Sequence, residues 1–184
     1  MMVEVHPIQA GDIEPAGPGP AWHVLWTHSH CERLLFEQLR SMQYEVFLPE
    51  LCVWSRRAGA RRTVRQPMFP GYLFLRHAMD RRSWLEVRKA RGLVTVLGSG
   101  WDRLAVVSDR EIEGLRILSG SGEPCAPYPY LREGTRVRIA RGPLAEVEGF
   151  LVRGQDEQGI LVVSVDLLHR SVAVKVDCTA IEPA

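Results

Sequence analysis

Five arginines, Arg56, Arg57, Arg61, Arg62 and Arg65, fall within ten residues, and no acid interrupts them. A guanidinium is a fixed fork of donors that matches phosphate oxygens. Gly59 lies in their midst, so the segment reads as the tip of a long hairpin whose second arm begins near Arg62. Trp54 at its base offers a flat ring for an exposed nucleic-acid base, or a packing residue for the hairpin itself. A second basic group, Arg81, Arg82, Arg88, Lys89 and Arg91, is broken by Asp80 and Glu86 and reads as a solvated face. His28, His30 and Cys31 stand close enough to suggest a metal, but a fourth ligand at suitable spacing is missing. Cys31, Cys52, Cys125 and Cys178 match no zinc or redox spacing, and Cys52 and Cys178 sit in apolar runs as buried thiols. The sequence has no phosphate-binding glycine loop, no dinucleotide fingerprint and no paired carboxylates for acid-base work. The expectation is a non-enzyme with no cofactor and no metal.

Composition frames that chemistry. The chain has 184 residues, 46% hydrophobic and 24% charged, a soluble globular mixture. Net charge is +1, from 23 basic against 22 acidic side chains, which excludes a protein wrapping nucleic acid over its whole surface. Two small domains of about 100 and about 50 residues fit the length. The start lacks a basic region with an apolar core, and the apolar runs are too short to span a bilayer, so a cytoplasmic protein is expected.

The elements that must position these residues follow from periodicity. Residues 1–20 are rich in Pro and Gly and read as a flexible leader. Trp22–Thr27 is a strand, and His30–Met42 a helix with Leu34, Leu35, Leu39 and Met42 at helical spacing and Ser29 as its cap. Residues 45–54 form a strand that Pro49 bends or places at an edge. After the hairpin come a turn at Met68–Gly71, a strand at Tyr72–Leu75, a helix at Ser83–Lys89 and a strand at Leu93–Leu97. Ser108 and Glu111 have the spacing of a capping box and open another helix. Residues 119–131 have the composition of a linker, and residues 132–184 hold five short strands, expected to close into a small, stable β-barrel independent of the first domain. The fold class is α+β, with an amino-terminal antiparallel sheet flanked by helices (residues 21–118) followed by the barrel.

Phe69-Pro70-Gly71-Tyr72-Leu73-Phe74, preceded by a basic hairpin, resembles the signature of the NusG amino-terminal domain. Trp22-His23-Val24-Leu25 resembles that family's first strand, and Trp84 to Gly98 its helix and strand. Gly134, Val137, Gly142-Pro143-Leu144 and Gly149 fall as in the KOW motif, the SH3-like barrel that follows in this family. The resemblance runs from Trp22 to Glu182. Leu144, where the general factor carries Phe, and the run Leu161–Leu168 resemble the specialised RfaH-like antiterminators. The alternatives are a housekeeping NusG-type factor and a KOW-type RNA- or ribosome-binding protein.

The resemblance implies a monomeric elongation and antitermination factor that docks on the clamp helices of RNA polymerase and suppresses pausing or termination at specialised operons. It implies polymerase contacts at Trp22, His28, Phe69, Tyr72 and Phe74. Upstream or non-template DNA would be met by Arg56, Arg57, Arg61, Arg62 and Trp54, with His23, His30, Arg33, Arg88 and Lys89 as a weaker basic patch. Leu144 and Phe150 are expected as exposed or half-exposed apolar residues that meet a ribosomal protein or Rho.

Overall fold

The computed structural model describes residues 19–57, 60–128, 131, 134–153 and 158–184; the side chains at 54–57, 60–63, 153 and 158 lie outside it. The leader expected at 1–20 therefore falls almost wholly outside the described residues. The chain runs β1 (Ala21–Thr27), α1 (Glu32–Ser41), β2 (Glu45–Phe47), β3 (Glu50–Arg57), β4 (Ala60–Pro67), β5 (Tyr72–His77), α2 (Arg81–Arg88) and β6 (Leu93–Val96). Three short strands, β7 (Gly98–Gly100), β8 (Arg103–Leu104) and β9 (Val106–Val107), lead into α3 (Asp109–Ser121). Then come β10 (Cys125–Tyr128), β11 (Thr135–Ile139), β12 (Glu148–Arg153), β13 (Gln158–Val165), β14 (Arg170–Asp177) and β15 (Ile181–Pro183).

The N-terminal sheet has the order β2-β5-β1-β6, with β9 also paired to β1, and every pair is antiparallel. Register decides its two faces. Val24 stands opposite Phe74, and Leu25 opposite Leu73. Alternation then places Trp22, Val24, Tyr72 and Phe74 in one buried cluster and Leu25, Leu73 and Leu75 in another. The second cluster is closed by Leu35 and Leu39 of α1 and Val87 of α2. The α+β amino-terminal arrangement expected from the sequence is present. Pro49 ends β2, and β3–β4 leave the sheet as a separate two-stranded hairpin. Helix α1 starts at Glu32 behind Cys31, which makes no side-chain cap bond, so Ser29 is not its cap. The capping box of α3 forms: Glu111 N–H donates to Ser108 Oγ, and Ser108 N–H donates to Glu111 Oε2.

The C-terminal sheet corrects the expected barrel. Four of the five expected strands form; the fifth, expected at Thr179–Ile181, is a 3-10 turn at Cys178–Ala180 followed by β15 at Ile181–Pro183. The strand order is β10-β14-β13-β12-β11-β15, and β10 and β15 end the path without pairing to each other. The sheet is open. Its sixth strand, β10, comes from residues read as linker and covers the outer edge of β14. Proline supplies the reason that open edges survive. Pro127 lies in β10 and Pro183 in β15, and a residue without an N–H blunts further pairing.

The expected independence of the C-terminal sheet is also overturned. Ile112, Leu115 and Leu118 of α3, with Val163, Val165 and Val172 of the C-terminal sheet, belong to the same buried cluster as Trp22, Phe69 and Phe74. Each surface has one apolar face, and joining them removes both from water.

Candidate functional site

An aromatic row runs across the first face of the N-terminal sheet. Phe47 of β2 meets Trp22 of β1 edge-to-face at 6.5 Å between ring centroids. Phe47 also stacks on Phe74 of β5 at 6.3 Å, and Phe69 meets Phe74 edge-to-face at 6.5 Å. Such offset and T-shaped contacts add to the burial of the rings. The turn that presents Phe69 is held from both sides. Gly71 N–H donates to Glu32 Oε1 at 2.7 Å, and Thr27 N–H donates to the Gly71 carbonyl at 2.8 Å. Gly71 has φ +86°, a conformation that glycine adopts without a Cβ penalty.

This row is covered. Trp22, Phe69, Tyr72 and Phe74 are all buried. The Arg116 guanidinium of α3 lies 5.0 Å from the Trp22 ring centre and 5.6 Å from that of Phe47, and it pairs with Glu45 at 2.9 Å. Arg170 of β14 lies 5.7 Å from the Tyr72 ring centre. Burial pushes the Tyr72 hydroxyl above its ordinary pKa, with Arg170 opposing the shift. Polar links accompany the apolar cover. Arg110 of α3 pairs with Glu148 of β12, and the Asp166 N–H donates to Glu111 Oε1 at 3.1 Å. A cleft of about 370 Å³ lies beside these pairs, lined among others by Ser108, Arg136, Phe150 and Ser164.

Of the residues the resemblance implied for docking, the structure gathers Trp22, Phe69, Tyr72 and Phe74, while His28 is exposed beyond the end of β1. His30 is also exposed, with φ 63°. His23 does not belong to a basic surface. It is buried in the central strand, where Nε2 lies 3.1 Å from the His77 carbonyl, and burial lowers its pKa. Arg33 is exposed but engaged with Glu50, which Arg65 also approaches at 3.9 Å. Arg88 and Lys89 are exposed, and the Arg88 guanidinium sits 4.5 Å over the Trp84 ring. The hairpin pairs Arg56 with Arg61 and Ser55 with Arg62 in backbone register; the side chains of Trp54, Arg56, Arg57, Arg61 and Arg62 lie outside the described residues.

On the C-terminal sheet, Leu144 is buried rather than exposed, because its turn folds inward against Val137 and Ile139 in the shared core. Phe150 is half-buried. Leu144 also contributes to a hollow of about 500 Å³ with Ile139, Arg141, Lys175 and Asp177. Asp177 accepts the Thr179 amide and hydroxyl, and these bonds lower its pKa.

Sequence reasoning missed Phe47, Glu32, Arg116 and Arg170. Phe47 alone carried a signal, its place in the apolar run Val46-Phe47-Leu48 just before Pro49. Cys178, read as buried, is exposed, and Cys52 is half-buried. Among the described residues no group of His, Cys, Asp and Glu is arranged to hold a metal ion. Among the described residues no helix is long and apolar enough to cross a membrane.

The family model described as "Transcription termination factor nusG" matches residues 20–116. The transcription termination/antitermination protein NusG of Vibrio vulnificus is 30% identical over 175 residues, covering 90% of this chain and 96% of that protein. NusG of Yersinia pestis is 29% identical over 175 residues, covering 90% and 97%. A solved structure described as "Domain interaction in Thermotoga maritima NusG" shares the fold, with a TM-score of 0.54, 18% identity, and coverage of 89% of this chain and 97% of that one. The chain therefore belongs to the NusG family, and its function is of the general NusG type, in transcription elongation and antitermination, rather than enzymatic.

Proposed function

We propose that the aromatic face of the N-terminal sheet is the docking site for the clamp helices of RNA polymerase. The chain divides for this purpose into an amino-terminal unit, residues 21–118, a connection, 119–131, and a C-terminal unit, 132–184. The observation that carries the reading is the unbroken row Trp22, Phe47, Phe74 and Phe69, drawn from separate elements onto one face. Clustered aromatics that a partner desolvates are the usual source of binding energy. Docking requires α3 and the C-terminal sheet to leave this face, so affinity for polymerase is reduced by the fraction of molecules that are closed.

Once docked, the factor holds the clamp shut, and the arginine hairpin leans on the DNA backbone near the upstream fork. Phosphate contacts carry no sequence information and weaken with salt. The result is a population shift of polymerase away from paused states. Leu144 and the run Leu161–Leu168 support action at specialised operons in the cytoplasm. The freed C-terminal sheet is the place for a ribosomal protein or Rho. Transcription on operon-specific and generic templates separates that role from a general one.

The test is polymerase pull-down with pause kinetics, comparing wild type with a Phe69→Ala, Tyr72→Ala double substitution and checking folding by circular dichroism. Wild type is expected to bind and shorten pauses, and the folded variant to do neither. Because both residues are buried, Phe69→Leu serves as a second, milder variant. Absence of wild-type binding on every template refutes the docking reading.

A further inference from the structure

The face of the N-terminal sheet opposite the aromatic row is covered by α1 and α2, whose inner residues Leu35, Leu39 and Val87 close the second buried cluster. The Arg91 amide donates to Gln38 Oε1 at 3.0 Å, and the Tyr44 hydroxyl donates to Glu86 Oε2 at 3.0 Å. The two helices therefore lie side by side and run antiparallel. Their outer surface carries apolar side chains in the open. Leu34 is 52% exposed, Leu85 44% and Met42 38%, three of the six large apolar side chains exposed among the described residues. Spacing sets them in stripes. Leu34, Gln38 and Met42 follow one another in steps of four along α1 and its C-cap, and so do Arg81, Leu85 and Lys89 along α2.

Cations rim these stripes. Among the described residues, no ion pair takes in Arg40, Arg81, Arg82, Arg88, Lys89 or Arg91, and all six are exposed. The acids beside them are already engaged. Asp80 caps α2 by accepting the Ser83 amide and hydroxyl, and Glu86 accepts the Tyr44 hydroxyl. An apolar strip bordered by unpaired cations is complementary to an acidic amphipathic helix. Nucleic acid uses cations and flat rings, but it leaves Leu34 and Met42 without a partner, and the Arg88 guanidinium already lies 4.5 Å over the Trp84 ring. A second copy of this chain across a two-fold axis would set the same cations against one another.

We propose that the outer surface of α1 and α2 docks an acidic amphipathic helix of a partner protein. Its apolar stripe lies on Leu34, Met42 and Leu85, and its carboxylates meet Arg88, Lys89 and their neighbours. Met42 suits this role because an unbranched thioether adapts to the shape of an incoming side chain. The surface is exposed while Trp22 and Phe74 are covered, and it lies on the other side of the sheet from them. It therefore stands independently of the docking function proposed above, and a partner held there leaves the aromatic row untouched.

The experiment uses the full chain and a fluorescein-labelled synthetic helical peptide with glutamates along one face and leucines along the other, read by fluorescence anisotropy. A peptide of the same composition in scrambled order and a single-stranded DNA oligonucleotide serve as comparisons. The amphipathic peptide is expected to bind saturably, about tenfold or more tighter than the scrambled one. The double changes Arg88→Glu, Lys89→Glu and Leu34→Ser, Leu85→Ser are each expected to weaken it by about tenfold or more. Circular dichroism should be unchanged in both, because all four side chains are exposed. Binding should also weaken as salt is raised. A wild type that does not bind the amphipathic peptide overturns the proposal, as does a scrambled peptide that binds equally well or a pair of variants that bind like wild type. An oligonucleotide that binds more tightly than the peptide, and is lost with Arg88→Glu, Lys89→Glu but not with Leu34→Ser, Leu85→Ser, makes the surface a nucleic-acid site and overturns it too.

Discussion

Replacing Glu32 with alanine isolates what holds the Phe69–Gly71 turn in place. Glu32 is the first residue of α1 and only 7% exposed, and its Oε1 accepts the Gly71 amide at 2.7 Å. Gly71's carbonyl is held separately by the Thr27 amide, so the turn hangs between β1 and α1. The alanine variant leaves the Gly71 N–H without its charged acceptor, a loss of about 1.5–3 kcal/mol. In a protein of this size each kcal/mol moves Tm by about 2–4 °C, so a fall of about 3–12 °C is expected in calorimetry at neutral pH. Glu32→Gln keeps an acceptor oxygen at the same reach and removes only the charge assistance, which accounts for about half of such a bond. It is expected to lose about half as much. Polymerase pull-down should weaken in the same order, because Phe69 and Tyr72 flank the loosened peptide. An alanine variant that melts within about 1 °C of wild type, or a glutamine variant as damaged as the alanine one, refutes the idea that this hydrogen bond positions the turn.

Two glycine-to-alanine changes should differ in sign. At Gly149 a Cβ would stand 2.4 Å from the Val162 carbonyl oxygen, a backbone atom that cannot swing away, so Gly149→Ala should cost about 1–3 kcal/mol in chemical denaturation. At Gly114, inside α3, the nearest atom to the new Cβ is Val163 Cγ1 at 4.0 Å, and the helix gains about 0.8–1 kcal/mol from alanine, so Gly114→Ala should raise stability. A pH series tests His23, whose pKa burial lowers from the ordinary 6.5. The neutral ring is favoured in the fold, so its stability contribution is full above 6.5 and is lost as pH falls below it. Melting temperatures between about pH 7.5 and about pH 5 should therefore decline in wild type and less steeply in His23→Gln. Asp80 and Asp177, whose hydrogen bonds lower their pKa values, lose their contribution only further down, below the ordinary carboxylate value of 3.8.

Local chemistry was legible where it is decided by neighbours in the chain. The Ser108–Glu111 box needs only its own backbone, and it forms as the spacing requires. The alternation of Tyr72, Leu73, Phe74 and Leu75 assigns them to opposite faces before any partner is known. Pro49 breaks its strand because its ring carries no donor. The two arms of the basic hairpin were likewise legible, and their backbone register pairs Arg56 with Arg61; the expected tip at Gly59 lies outside the described residues.

What the sequence by itself determined is thus the elements, their inner and outer faces, and the membership of the family carried by the run Phe69–Phe74. Only the tertiary structure decided what those faces meet. Apolar alternation says that Trp22 and Phe74 seek cover but not whether a partner protein or the chain's own C-terminal sheet supplies it, because hydrophobic burial has no direction. The same pattern of short strands fits a closed and an open sheet. Closure depends on whether the first and last strands reach each other, and here β10, recruited from a proline-rich connection, takes the edge of β14 instead. Glu32, Arg116 and Arg170 were invisible for the same reason, since each acts on a residue far along the chain that only folding brings near.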